Sequence, residues 1–146
     1  MTTAPGVISV AEALGDNYTD QMKTAFPDVL PPFRPFGFLA LLQLRQAKEK
    51  SRGGIILPDE TKDTERFRTQ ATLVRALGPM CFKDRKTSET WPEGEWYGVG
   101  DFIRCPMYGG DRFDVKVDGK IVTFVFIKES DALGLITGDP LNIEHS

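Results

Sequence analysis

The chain has 146 residues, 40% of them hydrophobic, and a net charge of -3. That is enough apolar material for one domain with a short appendage. Scattered Lys and Arg with no basic stripe exclude a nucleic-acid footprint, and a single histidine, His145, leaves no zinc set and no Ser-His-Asp or Cys-His catalytic set to assemble.

No run approaches the ~20 apolar residues that cross a bilayer, and the N-terminus lacks the basic and apolar regions of a signal peptide. A cytoplasmic, non-membrane protein is expected. Cys81 and Cys105 lie far apart and read as free thiols, although a disulfide between them stays open.

Residues 1–33 read as a partly helical N-terminal extension. Ser9-Val10-Ala11-Glu12 has the spacing of a capping box, and Gly15 would end the short helix it starts. Tyr18, Met22 and Phe26 recur at i, i+4 and i+8, a helical stripe that wants a surface to lie on. Pro27 stops it, and Leu30-Pro31-Pro32-Phe33-Arg34-Pro35 then runs extended. The same stretch also reads as a partly disordered tail.

Phe36 to Gln46 favours helix by propensity. Yet Phe38, Ala40, Leu42 and Leu44 alternate only weakly with Leu39, Leu41, Gln43 and Arg45, as in a strand buried on much of both faces. Residues 47–66 form a polar stretch around Gly53-Gly54-Ile55-Ile56-Leu57-Pro58. The two glycines free the backbone ahead of the aliphatics, and Pro58 cannot donate a ladder hydrogen bond after them. This reads as a long mobile loop with a sticky tip that orders on meeting a partner. Locally, a plain Ile-Ile-Leu strand in a hairpin fits as well.

Phe67 to Leu77 predicts a strand with a bulge partway, ending at Gly78-Pro79. Met80 to Tyr97 is a polar excursion carrying Trp91 and Trp96, which serve either as a binding patch or, preferably, as braces of a small hairpin. Val99-Gly100-Asp101 is a turn, Phe102 to Cys105 a short strand closed by Pro106, and Met107 to Asp111 another turn. Asp118-Gly119 is a strong hairpin signal between Arg112–Val117 and Lys120–Ile127. In that hairpin Phe113, Val115 and Val117 form one apolar face and Val122, Phe124 and Phe126 its counterpart. Glu129-Ser130-Asp131 breaks the sheet, and Ala132 to Ile136 is a last apolar segment before a polar tail.

The sum is an all-β fold of five or six short strands, a small barrel or sandwich. No phosphate-binding glycine motif is present, and Asp101, Asp111 and Asp114 lack calcium-loop spacing. An enzyme is not expected.

Taken in order, the motifs point to a family. Arg34-Pro35-Phe36-Gly37, a strand, and then Lys50-Ser51-Arg52-Gly53-Gly54-Ile55-Ile56-Leu57-Pro58-Asp59 resemble the opening of the GroES-type co-chaperonins. Gln70 to Gly78, Gly98 to Asp101, Pro106-Met107-Tyr108-Gly109-Gly110 and Glu129 to Gly134 follow in the family's order and at about its spacing. The resemblance covers Arg34 to Ile136.

The resemblance implies a small irregular β-barrel over residues 34–146, with the mobile loop at 47–66 and a roof excursion at 80–97. It implies a lid that works without catalysis or cofactor, a homo-oligomer of seven copies capping a GroEL-type chaperonin when nucleotide is bound. An unfolded client would be enclosed only as cargo. Gly53, Gly54, Ile55, Ile56 and Leu57 would dock on the chaperonin, and Tyr108 would face the chamber. The first and last strands pair across subunits in the family, which makes Phe38, Leu42, Leu44, Leu133 and Leu135 the expected subunit interface. Departures are the extension, Phe38-Leu39 where polar residues are usual, and the Trp-bearing excursion in place of a short Gly-rich hairpin. Virus-encoded members diverge in such places, so a phage-encoded member working in a host cytoplasm on the host's or its own chaperonin is an expectation. Two other readings stay open: a β-barrel adaptor or virion component gripping another partner by the same loop, and a small-molecule-binding barrel, which the missing metal and dinucleotide signals disfavour.

Overall fold

The computed structural model describes residues 9–46, 70–106 and 109–143. Its centre is a six-stranded antiparallel sheet: β1 Leu39–Leu44, β2 Ala71–Leu77, β3 Phe102–Arg104, β4 Asp111–Val117, β5 Lys120–Lys128 and β6 Gly134–Leu135, in spatial order β4-β5-β1-β2-β3-β6. The described residues are all-β apart from a few short helical turns.

Each strand has a legible cause. Asp118 and Gly119 both take positive φ, 50° and 79°, the geometry a two-residue hairpin turn requires. The turn sets a register in which Phe113 faces Phe124 and Val115 faces Val122. β1 is a strand rather than a helix, flanked by β5 on one side and β2 on the other. The expected bulge is real: Leu41 faces Ala76 but Leu42 faces Val74, so Arg75 is the extra residue.

Both faces of the central strands are apolar because both are covered. On the inner face Ala40, Leu42, Leu44, Val74, Ile103, Val125 and Ile127 form the main core. The excursion closes over it with Cys81, Phe82 and Tyr97. Tyr97 donates its hydroxyl to the Glu129 carbonyl at 2.9 Å. The Phe82 ring packs edge-on against Tyr97 and Trp91, and Trp91 against Trp96. The tryptophans are therefore braces of a small hairpin, pinned by a bridge between Lys83 and Thr90.

On the outer face lies the extension. Helix α1 (Val10–Leu14) is capped by Ser9, whose hydroxyl accepts from the Glu12 amide, and ends at Gly15. Helix α2 (Asp20–Ala25) is capped by Thr19 in the same way. Val10, Met22 and Phe26 bury against Leu73, with Phe102 and Leu141 beside them. Further along, Val29 joins Leu41, Ala76, Val122 and Phe124. Phe33 then meets Phe113 and Phe126 edge-on, with ring centroids 5.1 and 6.0 Å away. The extension thus crosses the sheet from β3 to β4.

Polar side chains hold it there. Gln43 donates from Nε2 to the Pro27 carbonyl at 2.9 Å. Arg75 donates from Nη1 to the Val29 carbonyl and to Gln43 Oε1. The Gln46 amide donates to the Ala25 carbonyl, and the Val10 amide to Asp28 Oδ1. Burial lowers the affinity of the Arg75 guanidinium for its proton, and the charge of Asp28 opposes that effect.

Candidate functional site

The chaperonin-docking set expected at Gly53, Gly54, Ile55, Ile56 and Leu57 lies outside the described residues, and so does Tyr108. What the structure describes is how the flanks of these segments are held. β1 leads into residues 47–69 from Arg45 and Gln46, and β2 leads out from Gln70. Arg45 is buried, and its Nη1 donates to the carbonyls of Pro140 and Ile143. The Arg45 amide also donates to the Ala71 carbonyl, so the end of β1 and the start of β2 stay side by side.

The residues on either side of the 107–108 stretch are anchored. The Gly109 amide donates to the Pro106 carbonyl at 2.9 Å. Arg112 donates from Nε to the Gly109 carbonyl and from Nη2 to the Pro106 carbonyl. Gly110 has φ +75°, and a Cβ there would lie 2.6 Å from the Phe126 carbonyl oxygen, so only glycine fits. Cys105, which begins this turn, is fully buried, and burial raises its thiol pKa against the opposing charge of Arg112. Cys81 is buried too, and burial pushes its thiol up to about 11. The two cysteines are not joined by a disulfide.

The five expected interface residues divide. Leu133, just before β6, and Leu135, on it, are 62% and 51% exposed at an edge of the sheet. Phe38 is half-buried, with the Arg85 guanidinium carbon 3.6 Å from its ring centroid, a cation–π contact from the excursion to the start of β1. Leu42 and Leu44 need a correction. They are 0% and 1% exposed inside the protomer's own core, and both edges of β1 are taken by β2 and β5. Their side chains have no surface to offer a neighbour. The sequence could not show this, because β1 is apolar at both parities.

Sequence reasoning also missed two surfaces. Leu30, Phe33 and Phe36 are each exposed along the Pro-rich segment that leads into β1, Phe36 at 77%. Their spacing of three in a segment with Pro31, Pro32 and Pro35 was the available signal. The other is a cleft of about 350 Å³ beside β6, walled by Leu133 to Asp139, Arg104 and Ile143. The supposed polar tail builds it: Asp139 caps a single helical turn, Pro140–Asn142, that folds back on the domain.

Among the described residues no cluster of His, Cys, Asp or Glu is arranged to hold a metal ion. No helix there is long and apolar enough to cross a membrane.

Comparison with known proteins agrees on one family. The family model described as the chaperonin 10 Kd subunit matches residues 32–136. A co-chaperonin GroES of Caulobacter sp. (strain K31) is 31% identical over 112 residues, covering 71% of this chain and 96% of that protein. A co-chaperonin GroES of Methylacidiphilum infernorum is 33% identical, covering 75% of this chain and 99% of its own. One from Anoxybacillus flavithermus is 34% identical, covering 70% and 97%.

Proposed function

The chain belongs to the chaperonin 10 kDa subunit family, and from that membership we propose that it is a co-chaperonin lid for a GroEL-type chaperonin, acting as a ring and without catalysis. The observation that carries the reading is the span of the match. It spans residues 32–136, which takes in the 47–66 stretch and residues 106–110, and the GroES relatives are covered over nearly their whole length.

In this reading Gly53 and Gly54 let the loop bend, and Ile55, Ile56 and Leu57 insert into an apolar groove of the chaperonin. Burying three aliphatics yields roughly 4.5–9 kcal/mol gross, at ~1.5–3 kcal/mol each. Ordering the loop costs ~1–2 kcal/mol per residue fixed. The net for one loop is weak, and affinity comes from several loops tethered in one ring. Weak single contacts let the lid leave when the chaperonin changes state. Tyr108 faces the enclosed chamber, between Pro106 and Gly109, whose carbonyls Arg112 holds. Ring contacts use Leu133, Leu135 and the neighbourhood of Phe38, with seven copies as the family's number.

The test is a mixture of the protein with a GroEL-type chaperonin, from its host or its own, with and without ATP or ADP, read by sedimentation. A complex that forms only with nucleotide is the expected result. Absence of any complex across plausible chaperonins sinks the proposal.

A further inference from the structure

Two parts of the chain lie outside the family match, the helices of the extension and the turn Pro140–Asn142. Both reach the same two residues, Arg45 and Gln46, where β1 runs into the 47–69 stretch. Arg45 is 7% exposed, and its Nη1 donates to the Pro140 carbonyl at 3.2 Å and to the Ile143 carbonyl at 2.9 Å. The Gln46 amide donates to the Ala25 carbonyl at 2.8 Å, at the end of α2. Gln46 Nε2 donates to the Ile121 carbonyl at 2.8 Å, near the start of β5. The turn and the extension also hold each other, since Leu141 packs on the cluster of Val10, Met22 and Phe26. The other end of the stretch is held from inside the family match. Gln70 accepts from Arg104 Nη2 at its side chain and from the Cys105 amide at its carbonyl.

We propose that Arg45 and Gln46 are positioning residues for partner docking: they tie the seating of the extension and of the C-terminal turn to the affinity of residues 53–57 for the chaperonin. This rests on the lid reading above and goes beyond it, because the groups that hold the two residues are this chain's own additions. A strand end that is already fixed need not be fixed again when Ile55, Ile56 and Leu57 dock. A strand end that frays must be ordered first, at a factor of roughly 5–30 in affinity for each residue. Arg45 does not fray cheaply, since a buried guanidinium is stable there only while the two carbonyls accept from it. These bonds also set where the 47–69 stretch leaves the sheet, and the effective concentration of a tethered group depends on where its tether starts. Affinity thus rises without a new contact to the partner. The coupling is reciprocal: docking that steadies Arg45 and Gln46 tightens the extension and the turn by the same factor.

The experiment measures the dissociation constant of the full chain for a GroEL-type chaperonin with ADP, beside melting temperature and amide exchange. Gln46→Ala, which loses one side-chain bond, is expected to bind about fivefold more weakly. Arg45→Met is expected to bind roughly 5–30-fold more weakly. Cys81→Ala is the control: Cys81 sits beside the Leu39 carbonyl at the other end of β1, so this variant is expected to melt lower and bind as the wild type does. In the wild type, adding chaperonin and ADP is expected to slow exchange at the Val10 and Asn142 amides, in the extension and the turn, about fivefold or more. Arg45→Met is expected to lose that slowing, which a merely structural role would not produce. Folded variants that bind with wild-type affinity overturn the proposal while the lid reading stands. An equal loss of affinity in Cys81→Ala also overturns it, because general stability is then the cause. If Arg45→Met does not fold, Gln46→Ala and the exchange of the wild type decide. A wild type that binds no chaperonin removes the lid reading and this proposal together.

Discussion

Gln43 Nε2 and the Pro27 carbonyl oxygen lie 2.9 Å apart, joining the middle of the sheet to the end of the extension's last helix. Gln43 is completely buried, as is its neighbour Arg75 at 1% exposure. Buried polar groups without partners cost about 1–3 kcal/mol each. The extension supplies the carbonyls that satisfy these two, so it belongs to the stability of the sheet.

Arg75→Met is therefore expected to lower stability by roughly 2–4 kcal/mol, because the Val29 carbonyl and Gln43 lose their donor together. Denaturant unfolding measures it. The amides of Val10, Phe26 and Gln46 should also exchange faster in the variant, while those of Leu42 and Val125 follow only the global change. Equal acceleration everywhere would mean the extension does not open as a unit.

The pH dependence follows from the thiols and Tyr97. Burial, the largest cause, raises Cys81 to about 11 and pushes the Tyr97 hydroxyl well above its usual range. The folded state thus holds protons that the unfolded chain releases at lower pH. Stability is full below about pH 9 and falls as the pH rises toward 11. Denaturant midpoints at pH 8, 9, 10 and 11 should show this decline, and Cys81→Ala should shrink it. At pH 8 a thiol reagent should label neither cysteine until the protein is unfolded.

Ile56→Ser is expected to leave the sedimentation of the free protein unchanged and to abolish nucleotide-dependent capture by the chaperonin. The loss is ~1.5–3 kcal/mol for each loop, repeated over every loop of a ring. Loss of folding in the free variant would instead mark Ile56 as core.

Two glycines with positive φ should respond differently to alanine. At Gly110 the added Cβ meets the Phe126 carbonyl and the side chains of Val125 and Ile127 within 2.7 Å. At Gly15 it meets nothing within 4 Å. Gly15→Ala should cost about 1 kcal/mol from backbone strain alone. Gly110→Ala should cost roughly 2–4 kcal/mol, since overpacking adds to the strain. Thermal melts of the two variants side by side make the comparison.

Much of the fold was legible where local chemistry decides it. Asp118-Gly119 fixed a hairpin and its register, Ser9 and Gly15 bounded a helix, and the parity change in β2 announced the bulge at Arg75. Legibility ended where a decision needs a second surface. The stripe Tyr18–Met22–Phe26 demanded something to lie on, but only the folded sheet reveals that Leu73 and Phe102 provide it. The double-sided apolarity of β1 was visible, yet it hid which parity faces inward, and so Leu42 and Leu44 were assigned to an interface they cannot reach. The cleft beside β6 had no sequence signature, because its wall is a polar-looking tail folded back by Arg45, nearly a hundred residues earlier in the chain.

The path of the extension has a consequence for biosynthesis. Residues made early in this stretch of chain are seated on residues made about 75 or more positions later: Phe26 on Phe102, Phe33 on Phe113 and Phe126. The N-terminal segment must wait, with its aromatic side chains uncovered, until β5 has been made. Contacts so distant in sequence slow folding, and a nascent chain in that state is itself prone to aggregate.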